Sequence, residues 1–320
     1  MTFAGSADRA ESQLVPEAGF ELDTFRITGL PRRPGPDLVR AIVTALPAPL
    51  ACRRILARRQ PDVVLGGGGY VAGPMILAAA TLRVPCALLE ADAHLGLANR
   101  LAAPFARRVF LAFPIAGLRG PKYRVTGRPI PARSQAGSQQ EARRLFGLPV
   151  EGHVLLVFGG SQGARSLNEL AVESFGQAGP TVLHLTGERD YERLRGRVSR
   201  GDYKLLPFTN EFGAALAACD LVLARAGGSI FELAAAGKPA VLVPYPSATA
   251  DHQTKNARHF ANAGGAVLLP ERELGRAPDL VRTLLGDARR LQAMSEAMLR
   301  VARPDASSEI AEEVIALASS

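Results

Sequence analysis

An arginine and a glutamate stand out in an otherwise apolar stretch, LARAGGSIFELAAAGKP, from Leu223 to Pro239. Arg225 follows a strand-like run, CDLVLA, and Gly227-Gly228 marks the turn after it. A guanidinium at the C-terminal end of a buried strand is well placed for a phosphate, which it grips with two parallel hydrogen bonds. Glu232, one turn into the helix that follows, is placed to accept both hydroxyls of a ribose. A local reading competes. Ser229 and Glu232 form the S-x-x-E pattern of a capping box, in which the glutamate bonds the serine amide. That reading accounts for Ser229 and Glu232 and leaves Arg225 unexplained.

Four further clusters carry polar chemistry. VFGGSQGARSLN (157–168) runs strand, glycine turn, helix, so the amides of 160–163 and the Ser161 hydroxyl could hold a diphosphate or a sugar ring. It is neither a Walker A loop nor a G-x-G-x-x-G, and its bland reading is a plain turn capped by Ser161. VVLGGGGYVAGP (63–74) has the same logic, with four glycines that let the backbone approach a ligand or a neighbouring domain. In PYPSATADHQTKNA (244–257), Asp251 is a helix cap, and His252 and Gln253 either join it or bond sugar hydroxyls. In LLEADAHLGLANR (88–100), Glu90 ends a strand and Asp92 and His94 follow in the loop; the carboxylates are candidate bases or hydroxyl acceptors, and His94 reads as a surface histidine. The spacing supports no zinc site.

Parallel sheets must position these residues. Unbroken V/I/L runs fall at 61–65, 84–89, 108–112 and 123–127, then at 153–158, 181–185, 203–208, 219–224 and 239–244, with helical patterns between nearly all of them. Strands buried on both faces and separated by helices indicate an α/β chain with parallel sheets. The stretch 127–149 reads as a linker feeding a short helix, dividing the chain into 1–134 and 135–320. Two Rossmann-like domains with ligand at the strand C-termini are expected. The first half opens on a strand at Met1–Ala4, a helix near 7–16 and a strand near 20–27, without the glycine turn that usually starts such a unit.

Composition narrows the function. The 320 residues are 47% hydrophobic, enough for two cores. Cys52, Cys86 and Cys219 lie far apart and read as buried or incidental thiols in a reducing compartment. The start has no basic region followed by an apolar run, and MILAAATLRVPCALL is interrupted by Arg83 and Pro85, so neither a secretory signal nor a membrane span is expected. The net charge of +8 suits phosphates and anionic lipid. Without tryptophan, and with five tyrosines, the chain lacks the aromatic-basic interleaving of a nucleic-acid binder.

In order, DVVLGGGGYVAGP, GLANR, VFGGSQGARSLN, ARAGGSIFELAAAGKPAVLVPYP and DHQTKNA resemble the MurG family of membrane-associated glycosyltransferases, from about residue 1 to the C-terminus. The resemblance implies a GT-B fold, two Rossmann-like domains facing across a cleft, with the last helix packing back on the first. It implies transfer of N-acetylglucosamine from UDP-GlcNAc to lipid I, giving lipid II, by an inverting reaction that uses no metal and no cofactor. On the donor side, Glu232 would hold the uridine ribose, Arg225 would lie by the diphosphate, Ser161 and Gln162 would sit at the diphosphate and sugar, and Gly163 and Ser229 would belong to the same donor site. Phe208 and Thr209 would flank the uracil, and His252 and Gln253 would contact the GlcNAc, although the family commonly has glutamine at the first of these. Tyr70, Asn99 and Asn168 match positions facing the acceptor or the cleft. The implied partners are the two substrates, the anionic inner leaflet and other cell-wall enzymes, on the cytoplasmic side of the membrane as a peripheral protein.

Three departures accompany the match. The family opens with a strand and a GGTGGH-type loop bearing a proposed basic histidine; this chain is expected to start one strand-loop-helix later. The family's HEQN run appears as Leu89-Glu90-Ala91-Asp92, which leaves Glu90 or Asp92 as the candidate base. The interval from Arg225 to Glu232 is one residue shorter than the common form. The stretch 37–60 mixes aliphatic residues with five arginines, a pattern of interfacial membrane contact or of an amphipathic helix on a sheet. Two alternatives to lipid I transfer are a GT-B transferase with another acceptor and a UDP-sugar-binding form without turnover.

Overall fold

The computed structural model describes residues 1–27, 35, 46–160 and 163–319. Residues 37–45 of the arginine-rich stretch, and both Ser161 and Gln162, lie outside the described residues. Two compact units emerge, Met1–Thr126 with Ser308–Ser320, and Gly127–Ser307.

In the first unit, β1 (Phe3–Gly5), α1 (Glu11–Glu17) and β2 (Leu22–Thr24) form a small parallel pair joined by a helix. Then come α2 (Ala48–Arg59), β3 (Val64–Gly66), α3 (Gly69–Thr81), β4 (Cys86–Glu90), α4 (Leu97–Ala102), β5 (Arg108–Leu111) and β6 (Tyr123–Val125). Strands β3 to β6 make a four-stranded sheet in sequential order, all parallel. Cys52, Ile76, Leu88 and Val109 are fully buried between sheet and helices. Asp23 on β2 accepts hydrogen bonds from Arg58 and from Arg59 Nε (2.7 Å), which ties the small pair to α2.

The second unit contains α5 (Gln139–Leu145), β7 (Val154–Phe158), α6 (Arg165–Phe175), β8 (Thr181–Leu185), α7 (Glu188–Leu194), β9 (Tyr203–Leu206), α8 (Phe212–Ala218), β10 (Leu221–Ala224), α9 (Ile230–Ala235), β11 (Ala240–Leu242), α10 (His252–Asn262), β12 (Ala266–Leu268), α11 (Ala277–Leu285) and α12 (Ala288–Val301). The sheet order is β12-β11-β10-β7-β8-β9, every pairing parallel. The chain therefore winds outward from β7 in one direction and from β10 in the other. The ends of these two neighbours form the topological switch point at which open α/β sheets bind ligands. Strand β12 is one the sequence pattern did not single out; its short AVL run pairs at the edge beside β11.

Residues 127–134, placed in the first half by composition, belong to the second unit by their contacts. Ser134 bonds Glu232, and the backbone at 133–135 lies so close to Gly213 that a Cβ there would meet Gln135 O at 2.3 Å. Next to it, buried Arg143 on α5 donates to Ala218 O (3.0 Å) and to Asp220 (2.8 Å), anchoring the helix beneath the sheet.

The final helix, α13 (Ala306–Ala318), brings Ile310 and Leu317 against Ala87 and Phe110 of the first unit, and Glu313 pairs with Arg108 (3.1 Å) and Arg124 (3.2 Å). Among the described residues, no helix is long and apolar enough to cross a membrane. Phe110 is fully buried at the seat of this last helix. Phe110→Ala is expected to lower unfolding stability by roughly 3–5 kcal/mol, read as a shift of the urea midpoint at unchanged secondary structure.

Candidate functional site

Register places the two turns of the second unit side by side. Ala224 of β10 pairs with Phe158 of β7, so Arg225 and Gly159 leave the same edge of the sheet together. The β7–α6 turn folds back so tightly that a Cβ on Gly159 would sit 2.3 Å from that of Ala164. A Cβ on Gly163 (φ +70) would lie 2.2 Å from the Thr186 carbonyl oxygen. Both positions admit only glycine.

Arg225 is 8% exposed, and its guanidinium is enclosed by partners. Nη1 donates to Val243 O and Pro244 O, both at 3.2 Å; Nη2 donates to Ser166 Oγ (2.9 Å); and the Glu271 carboxylate spans both nitrogens. Ser166 in turn donates to Glu271 Oε1 (2.6 Å), and the Tyr245 ring centroid lies 5.6 Å from Cζ. Burial pushes the Glu271 carboxyl up, but hydrogen bonds from Arg225 and Ser166 outweigh it and hold it below its ordinary value. Among the described residues, the buried Nε of Arg225 has no hydrogen-bond partner. The arginine expected beside a diphosphate is thus already paired with a carboxylate. Glu271 follows β12, whose AVLL run in GGAVLLPERE was the one signal that would have placed it.

The capping box does not form. Ser229 has helical φ/ψ and makes no side-chain cap, and Glu232 accepts instead from Ser134 Oγ at 2.5 Å. Both Ser134 and Arg128, which lies against Gly228, come from the stretch read as linker.

Asn168 needs a second correction. It was expected to face a cleft, yet it is fully buried. Its Nδ2 donates to Thr186 O (2.8 Å) and to Asp190 (2.9 Å), both acceptors, which orients Oδ1 toward His184 Nε2 (3.0 Å). The His184 proton therefore sits on Nε2, and Nδ1 accepts from the Tyr203 hydroxyl (2.8 Å). This closed chain of hydrogen bonds lies under Gly163, whose added Cβ would meet Asn168 Nδ2 at 3.5 Å. Burial pushes the His184 imidazole down to about 3 against the pull of Asp190.

Elsewhere on this unit Phe208 is 54% exposed, and the Thr209 hydroxyl accepts from the Glu211 amide (3.0 Å). Before α10, Ala250 (φ 51) and Asp251 (φ 55) are consecutive left-handed residues other than glycine, and Asp251 makes no side-chain cap. His252 Nδ1 donates to Thr249 O (2.9 Å), and Gln253 Oε1 accepts from Tyr245 N (2.9 Å). The His252 Nε2 and the Gln253 amide group are not used in these bonds.

In the first unit, Glu90 ends β4 and is 6% exposed. Its Oε2 accepts from Gly96 N (2.8 Å) and Asn99 Nδ2 (2.9 Å), and its Oε1 from Asp92 N (3.3 Å). Asn99 Nδ2 also donates to Leu89 O (3.1 Å), while among the described residues its buried Oδ1 has no hydrogen-bond partner. Gly68 (φ +91) abuts this pair, since its Cβ would lie 3.4 Å from Leu89 O. Glu90 thus organises the β4–α4 loop with both oxygens occupied. Asp92 in that loop and Tyr70 at the start of α3 are half-buried.

Two parallel α/β units, each with glycine turns at the C-terminal ends of its strands, make up the architecture that GT-B glycosyltransferases have. Comparison with known proteins makes the assignment specific. Residues 2–111 match the glycosyltransferase family 28 N-terminal domain, and residues 154–310 its C-terminal domain. A Rubrobacter xylanophilus protein, named UDP-N-acetylglucosamine--N-acetylmuramyl-(pentapeptide) pyrophosphoryl-undecaprenol N-acetylglucosamine transferase, is 38% identical over 99% of this chain and 95% of its own. Its namesake from Moorella thermoacetica is 39% identical, covering 98% of this chain and 90% of its own. The crystal structure of Acinetobacter baumannii MurG superposes with a TM-score of 0.78 at 26% identity, over 98% of this chain and 90% of that one. The chain belongs to glycosyltransferase family 28, and its relatives there are the MurG transferases.

The buried histidine makes a testable difference to stability. His184 binds a proton near its ordinary 6.5 in the unfolded chain and only at about 3 in the folded one. The unfolded state therefore holds more protons between these values, and stability present above pH 6.5 is lost as the pH falls toward 3. Between pH 7 and 5 this amounts to about 2 kcal/mol. Urea unfolding at the two pH values should show the wild type losing that much more than His184→Gln; equal losses would contradict the assignment.

Proposed function

We propose that the chain transfers N-acetylglucosamine from UDP-GlcNAc to the N-acetylmuramyl sugar of lipid I, forming lipid II with inversion at the anomeric carbon. One observation carries the reading: sequences 38% and 39% identical, matched over almost the whole chain, are named for that transfer. The switch point of the second unit supplies the matching geometry for a nucleotide.

In this reading UDP docks over the β7–α6 and β10–α9 turns. Glu232 exchanges its Ser134 bond for the ribose hydroxyls. Arg225, fixed by Glu271, borders the diphosphate together with Ser229, Gly163, Ser161 and Gln162. Phe208 offers an exposed face to the uracil beside Thr209. His252 Nε2 and the Gln253 amide group address the GlcNAc hydroxyls, on a loop whose left-handed residues pre-set its shape. Asn168 acts one layer below, as support for Gly163. In the first unit Tyr70 and Asn99 serve the acceptor, the buried Asn99 Oδ1 offering an acceptor to a hydroxyl or amide of the ligand.

The acceptor hydroxyl attacks the anomeric carbon; the new C–O bond forms as the bond to the β-phosphate breaks, and UDP leaves with the electron pair. The hydroxyl proton passes to a carboxylate. Glu90 and Asp92 are the two candidates, and Glu90 already accepts three hydrogen bonds that shape the loop. Lipid I sits in an anionic leaflet, so the chain works as a peripheral protein on the cytoplasmic face. Support comes from α2 and the turn before it, where exposed Leu46 and Leu50 neighbour exposed Arg53 and Arg54.

Purified chain given UDP-GlcNAc should release UDP only when a soluble lipid I analogue is added. Binding of UDP with no acceptor-dependent release would instead make it a nucleotide-sugar-binding form. Within the same assay Asp92→Asn should lower kcat by about 10²–10⁴-fold with little change in the KM for donor; full turnover would remove Asp92 as the base.

A further inference from the structure

Two arginines border the β10–α9 turn, and they differ in one respect. Arg225 is neutralised in full by Glu271 and bonded by Ser166. Arg128 is half-buried, and among the described residues no hydrogen-bond or ion-pair partner is found for it. Its guanidinium rests on Gly228. A Cβ there would lie 2.3 Å from Nη1, 2.4 Å from Cζ and 2.7 Å from Nη2, distances so similar that the planar group must meet the turn with its face. Any other residue at 228 would push it away. The segment that carries Arg128 is held over the turn at a second point, the Ser134 bond to Glu232.

A donor diphosphate brings two phosphates to this turn. Arg225 cannot balance them while Glu271 spans both of its η nitrogens. A guanidinium without an acidic partner, held flat and partly desolvated, binds phosphate oxygens with little reorganisation. We propose that Arg128 is the cation that takes the diphosphate of the nucleotide donor, and that Gly228 is a glycine so that this guanidinium can lie on the turn. The proposal deepens the UDP-sugar reading of this site and rests on it.

The test uses the full chain, titrated with UDP and with uridine, which lacks the phosphates. Arg128→Ala should weaken UDP at least tenfold while uridine changes less than twofold, and the salt dependence of UDP binding should flatten. Gly228→Ala keeps the charge but displaces it, and should show the same selective loss. Equal effects on UDP and uridine, or none on either, would overturn the role of Arg128 while leaving the transferase reading in place. A drop in the unfolding midpoint of Arg128→Ala that accompanies equal losses would mark it as structural and also overturn the proposal. Wild-type chain that binds neither compound would overturn the UDP-sugar reading itself, and this proposal with it.

Discussion

The pairing of β7 with β10 constrains the whole second unit. Each of these central strands hands the chain on in the opposite direction, so no helix can cover the edge where both end. The chain must turn twice within a few ångströms of that edge. Glycine stands at 159 and 163 because a Cβ there would strike the backbone of 164 or 186, and at 228 because a Cβ would strike the Arg128 guanidinium. The open edge and the exposed backbone are thus two faces of one topological fact, and the chemistry of the unit collects there for that reason.

Two polar assemblies hold these turns, and they work differently. Under the first turn, Asp190, Asn168, His184 and Tyr203 form a chain with every partner satisfied, contributed by α7, α6, β8 and β9. Such a network specifies one arrangement of a core because any slip leaves a donor or acceptor bare. Behind the second turn, the Arg225 and Glu271 pair gains little net stability over an apolar substitute, yet removal of one partner strands a buried charge and destabilises by about 3–5 kcal/mol. Both assemblies set position and so support a site that must keep its shape with or without a ligand. In the first unit Glu90 plays a comparable part, drawing two loop amides and Asn99 onto one carboxylate.

Much of this is legible in the sequence. Strands buried on both faces read as unbroken aliphatic runs, so HVLLVF and TVLHL give themselves away, whereas β12 hides in a short AVL beside two glycines. The glycine turns were visible because glycine marks backbone strain locally. The partners of the charged residues were not. Glu271, Ser134 and Arg128 reach the β10–α9 turn from distant parts of the chain, and no local spacing encodes such contacts. The S-x-x-E pattern even pointed the other way: the local bond between Glu232 and Ser229 loses to a hydroxyl delivered by tertiary structure. Asn168 misled for the same reason, its polarity serving a buried network and not the surface.

The last helix has a consequence for how the protein is made. Ile310 and Leu317 complete the cluster around Ala87 and Phe110, so residues from both ends of the described chain build one core. The second unit, by contrast, is a single uninterrupted stretch. During synthesis it can close as soon as its own residues have emerged, while the sheet face at Phe110 stays uncovered until α13 leaves the ribosome. The half that is translated first is therefore the half that finishes last. The ribosome's pace over the second unit sets how long that apolar face is exposed.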